Sequence, residues 1–269
     1  MESPIRALYR LLLYAAWTFA LLPAQVVALV LRISLRKHIP QFYHRVCCRI
    51  IGLKIEARGE ISTAKPTLFI VNHSSYLDIS VLGSLIKGAF VAKREVAGWA
   101  LFGILARLQR TVFVDRRPRF AAVQRDELMR RLEAGDNLIL FPEGTSSDGN
   151  RILPFKSALL GVAEYRADGR PVTVQPVSIA YTRLDGMPLG RHLRPYYAWY
   201  GEMDLSSHIW QMIGLGKATV VVAFHPPVSV AEFGSRKALT QHCHDIVARG
   251  VAAAISGRPQ DLPAATATR

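Results

Sequence analysis

Cysteine is scarce in this chain of 269 residues: Cys47, Cys48 and Cys243 are the only three. Three thiols in no metal-ligand or redox spacing exclude a disulfide framework and point to a reduced, cytoplasm-facing protein. No Gly-x-Ser-x-Gly run is present, which argues against a serine nucleophile on a strained elbow. The cysteines lie far from the polar clusters described below, so a cysteine nucleophile is not indicated either. No segment repeats, which excludes solenoids and propellers. Acidic side chains are also few, 20 against 34 lysines and arginines, and the formal charge of +14 calls for an anionic partner. Nucleic acid and an anionic membrane surface both satisfy that charge. The basic residues are spread widely along the chain, and an apolar N-terminus has no role on nucleic acid, so no nucleic-acid partner is expected.

The N-terminus is where hydrophobicity concentrates. Leu11 to Leu31 holds no charged residue and is flanked by Arg6 and Arg10 before it and by Arg32, Arg36 and Lys37 after it. Such a stretch is long enough to cross a bilayer. Pro23 and Gln25 break its middle and both flanks are positive, so a helical hairpin or an in-plane anchor fits equally and no orientation follows. A signal peptide fits less well, because the apolar region is long and no small-residue cleavage site follows it. His38 to Arg49 mixes Phe42, Tyr43 and Val46 with His44, Arg45 and Arg49, the pattern of an interfacial helix or of an ordinary amphipathic core helix. The expected organisation is a membrane-anchoring helical segment over residues 1–50, one main domain over 51–256 and a disordered tail rich in Ala, Pro and Thr over 257–269.

Within the main domain, short apolar runs alternate with helical periodicity. Strands are expected at Thr67–Val71, Ala89–Ala92, Thr111–Val114, Asn137–Phe141, Val172–Ala180, Tyr196–Tyr200 and Ala218–Phe224. Helices are expected after Asp78, from Pro118 to a stop at Gly135, from Lys156 to Arg166 and from Ser235 to Ala254. This alternation predicts an α/β fold with a largely parallel sheet flanked by helices. His242-Cys243-His244 falls on the last helix, where residues two apart diverge by roughly 200°, so it is assigned no metal.

Two polar loops follow apolar strands. The first, Asn72-His73-Ser74-Ser75-Tyr76-Leu77-Asp78, sets an imidazole and a carboxylate five positions apart on a strand-to-helix turn. Imidazole takes a proton near neutral pH, and a carboxylate on its second nitrogen fixes the tautomer and stabilises the imidazolium. Read alone, the pair is equally a capped turn, with Asp78 as the helix N-cap. The second loop is Phe141-Pro142-Glu143-Gly144-Thr145-Ser146-Ser147-Asp148-Gly149. Two such loops at strand ends indicate one crevice.

Four blocks in order carry a family resemblance: Asn72 to Asp78 as a His-x4-Asp motif, Thr111-Val112-Phe113-Val114-Asp115-Arg116 as a strand ending in arginine, Phe141-Pro142-Glu143-Gly144-Thr145, and Gln175-Pro176-Val177. The chain resembles the lysophospholipid acyltransferases of the 1-acyl-glycerol-3-phosphate acyltransferase type over roughly residues 55 to 185. The resemblance implies acyl transfer from acyl-CoA or acyl-carrier protein, as a substrate rather than a cofactor, to the free hydroxyl of a lysophospholipid in phospholipid biosynthesis. It implies catalytic roles for His73 and Asp78 and substrate contacts for Arg116, Glu143, Gly144 and Thr145, with Lys93 and Lys156 as further candidate cations. Arg116 is expected to bind a phosphate head group, and Glu143 to accept hydrogen bonds from a glycerol hydroxyl. The expected acceptor is 1-acyl-glycerol-3-phosphate. Many members of that family carry arginine after Glu-Gly-Thr, whereas this chain has Ser146, which keeps a lyso-aminolipid such as lyso-ornithine lipid as the alternative acceptor. A non-catalytic basic membrane-binding protein is the reading from another class. The expected location is the membrane, with the catalytic domain facing the cytoplasm.

Overall fold

A computed structural model describes residues 2–115, 121–167 and 169–264. Two helices come first, α1 (Pro4–Val30) and α2 (Leu35–Ile51). There follow β1 (Leu53–Arg58), β2 (Thr67–Val71), α3 (Leu77–Leu85), β3 (Ala89–Lys93), α4 (Ala100–Leu108), β4 (Val112–Val114), α5 (Ala121–Glu133) and β5 (Leu138–Leu140). After a 3-10 helix at Ser157–Glu164 come a short hairpin of β6 (Arg166–Ala167) and β7 (Arg170–Pro171), β8 (Thr173–Leu184), β9 (Met187–Pro188) and α6 (Leu205–Ile213). The chain closes with β10 (Ala218–Phe224), α7 (Val230–Phe233) and α8 (Arg236–Ile255).

The main sheet has the order β1-β10-β8-β2-β5-β3-β4, with β9 paired to β8. From β8 to β4 every neighbouring pair is parallel, and β10 joins β8 antiparallel. The fold is thus mixed α/β with a parallel block, and the ends of β2, β3, β4 and β5 leave the sheet at one edge. All five residues of β2 are buried, as a strand covered on both faces requires. Phe69 and Val71 face a cluster with Cys48, Leu82 and Met212, so α2, α3 and α6 cover that side. Leu68 and Ile70 face Leu132, Leu160 and Leu239, which places α5, the 3-10 helix and α8 on the other. Helices α2 and α3 approach closely because residue 83 is glycine: a Cβ there would meet His44 Cδ2 at 2.5 Å.

Several sequence expectations are corrected. Pro23 and Gln25 do not break α1, which runs through both. Gln25 is buried and donates to the Leu108 carbonyl at 2.7 Å, capping the end of α4. Arg10 caps α6 in the same way, donating to the carbonyls of Ile213 and Leu215 at 3.0 and 2.7 Å. The His38–Arg49 stretch lies in a helix that buries His44, Cys47 and Cys48 against the domain, the amphipathic core reading. The Lys156–Arg166 segment is 3-10 over Ser157–Glu164 rather than α. Tyr196–Tyr200 is no strand: a 3-10 turn at Arg194–Tyr196 leads into an irregular loop. The start of the helix expected at Pro118 lies outside the described residues; α5 is followed by Gly135, which takes the positive φ of 69° that ends it. In the segment expected as a disordered tail, Ala264 accepts a hydrogen bond from Gly59 N–H at 2.7 Å, while residues 265–269 lie outside the described ones.

Outside the sheet layers, α1 exposes Ile5, Leu8, Leu12, Phe19, Val27 and Val30. It is long and apolar enough to cross a membrane, with a hydropathy of 1.8 over a window only 17% buried. This makes α1 a candidate membrane anchor.

Candidate active site

Strand β2 delivers its last residue, Val71, beside Val177 of β8, and Asn72 then extends the ladder with its side chain. Its amide donates to the Ile179 carbonyl at 3.0 Å and accepts from Ile179 N–H at 2.9 Å, so the exit of the chain from the sheet is fixed on both sides. His73 is the next residue. Its Nδ1 lies 2.9 Å from Oδ2 of Asp78, in the first turn of α3. The same oxygen accepts from the main-chain N–H groups of Ser74 and Ser75 at 2.8 and 3.0 Å, and the Tyr181 hydroxyl donates to Oδ1 at 2.9 Å. Asp78 is fully buried, and four donors surround it. A carboxylate so placed accepts from Nδ1–H, which leaves the lone pair on Nε2. The helix N-cap is Tyr76, not Asp78.

The ring of His73 stacks on Phe141 with centroids 4.2 Å apart, and Phe90 stacks behind Phe141 at 6.3 Å. Phe141 follows β5, the parallel neighbour of β2, so the two loops meet at one edge of the sheet. Glu143 reaches across: Oε1 accepts from the His73 N–H and Oε2 from the Leu153 N–H, both at 2.7 Å. The residue is 1% exposed. Burial pushes its carboxyl up to about 7, against the two main-chain donors that pull it down. The expectation that Glu143 accepts from a glycerol hydroxyl gives way here, because the carboxylate is buried away from solvent and turned onto two main-chain donors. Its role is to hold the His73 loop to the Leu153 loop. Gly144, at φ 71°, closes the turn with its N–H on the Phe141 carbonyl at 3.1 Å. Ser147 N–H donates to the His73 carbonyl at 2.9 Å.

Of the remaining candidates, Thr145 is exposed on the same turn and Lys93 is half-buried at the end of β3. Lys156 is exposed, and its main-chain N–H donates to the Pro142 carbonyl at 2.9 Å, which holds it beside the motif loop. Arg116 lies outside the described residues.

Three contributors were not assigned from sequence. Tyr181 lies just past the strand expected to end at Ala180, and only the fold brings its hydroxyl to Asp78. Leu153 acts through its main chain, which leaves no signature. Trp199, whose aromatic run suits a strand or the lining of an acyl groove, donates its main-chain N–H to the Ser74 carbonyl at 2.8 Å and accepts from the Ser146 hydroxyl at its own carbonyl, so it ties both motif loops together. Its ring meets Trp99 edge-on at 5.9 Å and Tyr76 at 6.3 Å, forming an aromatic wall toward the exposed apolar residues Leu101, Phe102 and Ile104 of α4.

Residues 53–180, which span both loops, match the family described as Acyltransferase. The lyso-ornithine lipid O-acyltransferase of Brucella abortus is 40% identical over 262 residues, covering 96% of this chain and 98% of that protein. The 1-acyl-sn-glycerol-3-phosphate acyltransferase of Neisseria gonorrhoeae is 30% identical over 204 residues, covering 75% of each. The crystal structure of the 1-acyl-sn-glycerophosphate acyltransferase of Thermotoga maritima shares the fold, with a TM-score of 0.63 at 24% identity over 92% of this chain and 96% of that one. A match of 40% along nearly the whole of both sequences is family membership, and this chain is an acyltransferase belonging to the lysophospholipid acyltransferase family.

Proposed function

We propose that the protein acylates the free hydroxyl of lyso-ornithine lipid, using a fatty acyl thioester of coenzyme A or acyl-carrier protein as donor. The observation that carries this reading is the near full-length similarity to a lyso-ornithine lipid O-acyltransferase, against a weaker and shorter match to a phosphate-using relative. The order of the two acceptors expected from sequence is therefore reversed. Ser146, in place of the arginine that many family members carry, agrees with the reversal, since a zwitterionic head group has no phosphate monoester to hold.

In the proposed reaction, Nε2 of His73 takes the proton of the acceptor hydroxyl as its oxygen attacks the thioester carbonyl. Asp78 keeps Nδ1 protonated and stabilises the imidazolium. The tetrahedral intermediate then expels the thiolate, which takes the proton back from His73. One C–O bond forms, one C–S bond breaks, and no side chain is acylated. Base and orienting acid come from the chain itself, so the mechanism calls on no metal or resident cofactor. Lys93, Lys156 and Arg116 are the cations proposed to meet the anionic parts of donor and acceptor.

The proposed location is the inner face of a membrane, with α1 lying in its plane. Arg10 and Gln25 fasten α1 at two points about 22 Å apart along its axis to the same domain, and a helix held so to a folded domain lies along it rather than crossing a bilayer. The activity is tested by incubating the purified chain with labelled acyl-CoA or acyl-carrier protein and either lyso-ornithine lipid or 1-acyl-glycerol-3-phosphate, with His73→Ala as control. Label in ornithine lipid is expected. Label only in phosphatidic acid overturns the acceptor assignment, and no His73-dependent label with either donor overturns the mechanism.

A further inference from the structure

We infer that a second site, at the opposite edge of the sheet from His73, binds the phosphate of an anionic membrane-lipid head group. It is a pocket lined by Arg36, Lys37, Lys87, Gly88, Arg110 and Asp136. Lys87 and Gly88 lead into β3, Arg110 precedes β4 and Asp136 precedes β5. These are the starts of parallel strands whose far ends carry the catalytic loops, so the two sites do not overlap.

The charge of the pocket exceeds what its one acid uses. Asp136 is paired with Lys37 at 2.8 Å, with Arg131 at 3.0 Å and with Arg110. These three cations hold its carboxyl below the ordinary range, against its burial. Arg36 and Lys87 are surplus: neither makes an ion pair among the described residues, and Nε of Arg36 has no hydrogen-bond partner there. Cations that converge on one already neutralised carboxylate repel one another, and that arrangement is relieved by an anion. Arginine and lysine together suit phosphate.

The surroundings name the source of the phosphate. Arg36 and Lys37 sit just past the turn between α1 and α2, where Val30, Leu31, Ile33 and Leu35 are 73, 63, 41 and 52% exposed. An exposed apolar tip beside a cationic pocket matches the two halves of a phospholipid, acyl chain below and head group above. Free phosphate has no use for the tip.

The test compares co-sedimentation of the full chain with phosphatidylcholine vesicles and with vesicles also containing phosphatidylglycerol. The Arg36→Gln/Lys87→Gln variant is run against Lys237→Gln/Arg249→Gln, whose charges lie on α8 across the sheet. Loss of two charges at the membrane surface is expected to weaken partitioning onto the anionic vesicles about 30-fold, with the α8 pair nearly unchanged. Acyl transfer in neutral detergent is expected to stay at the wild-type rate, which shows that the variant is folded. Equal losses from both pairs, or none from the first, overturn the proposal. So does inorganic phosphate that stabilises the protein in detergent as well as phosphatidylglycerol does, since the ligand is then the free anion.

Discussion

The Glu143 carboxylate accepts a hydrogen bond from the main-chain N–H of His73 at 2.7 Å, while its other oxygen holds Leu153. The glutamate thus sets the position of the backbone of His73, the proposed general base, from the neighbouring loop. Glu143→Gln keeps the shape but presents an N–H to one of the two N–H donors, leaving a buried donor unsatisfied. The expected cost is about 1–3 kcal/mol in unfolding free energy. The expected kinetic outcome is a lower kcat with little change in KM for the lysolipid, because a positioning contact has been lost. A raised KM at constant kcat marks instead a direct contact with substrate.

The same carboxyl predicts opposite pH trends for stability and activity. Its pKa is raised from an ordinary 4.5 to about 7, so the folded protein holds the proton more tightly than the unfolded chain does. That contribution to stability is fully present below the unfolded value and is lost as pH rises to about 7. The clamp, however, needs the ionised form, because a protonated carboxyl turns one acceptor into a donor. Denaturant unfolding is expected to show wild type losing stability relative to Glu143→Gln across this window. Turnover by wild type is expected to rise over it. A stability difference that is flat with pH counts against the buried, raised carboxyl.

The His73–Asp78 pair makes separable predictions. His73→Ala removes a partly exposed ring, so the fold is expected to hold while turnover drops by about 10²–10⁴. Asp78→Asn is expected to fold as well, with its oxygen toward Ser74 and Ser75 and its amide toward Tyr181, whose hydroxyl can accept. Turnover is expected to fall because Nδ1 no longer faces a carboxylate. Tyr181→Phe leaves Oδ1 buried without its donor, and the expected effect is a loss of about 1–2 kcal/mol with a smaller loss of rate. Circular dichroism melts alongside single-turnover assays separate the three. Full activity in His73→Ala ends the base assignment.

The parts of this site that were legible in sequence are those carried by side chains in local runs. His73 and Asp78 sit five residues apart, and strand Thr67–Val71 is apolar throughout, so one segment states both the pair and its support. The expected strands at β2, β3, β4, β5 and β10 held for the same reason, with ends shifted by at most a residue, whereas β8 runs four residues past the expected end at Ala180. Partners supplied by distant main chain were not legible: the Leu153 N–H, the Trp199 carbonyl and the Ser147 N–H carry no residue-type signal. The family resemblance implies a substrate contact for Glu143, and only the fold shows its side chain buried on main-chain donors. Pro23 suggested a broken helix, yet a helix whose neighbours supply the packing tolerates one missing N–H. The aromatic run Tyr196 to Tyr200 has strand composition but no partner strand at that place in the sheet, and packing overrode propensity.

Arg10 links α1 to the domain. Its guanidinium satisfies the carbonyls of Ile213 and Leu215 at the end of α6, groups that otherwise lack partners at a helix C-terminus. Arg10→Ala is expected to cost about 1–3 kcal/mol and to open the first turns of α1 to protease. Limited proteolysis in detergent, read by mass spectrometry, reports the cut position. A variant as resistant as wild type shows that apolar packing alone holds α1 in place.

Ser146 offers a test of acceptor choice that leaves the His73–Asp78 pair intact. Its hydroxyl donates to the Trp199 carbonyl, which holds the loop after Gly144 against the aromatic wall. Ser146→Arg gives up that bond and adds a cation on the loop beside His73. If the head group lies over this loop, a phosphate monoester gains a charge-assisted contact worth about 1.5–3 kcal/mol, and the ornithine ammonium meets a like charge. The ratio of kcat/KM for 1-acyl-glycerol-3-phosphate to that for lyso-ornithine lipid is then expected to rise by about 10-fold or more. A proportional loss on both acceptors shows that Ser146 supports the loop only, and that acceptor choice is made elsewhere. A gain on the phosphate acceptor alone, with lyso-ornithine lipid unchanged, places the ornithine ammonium away from this loop while keeping the phosphate above it.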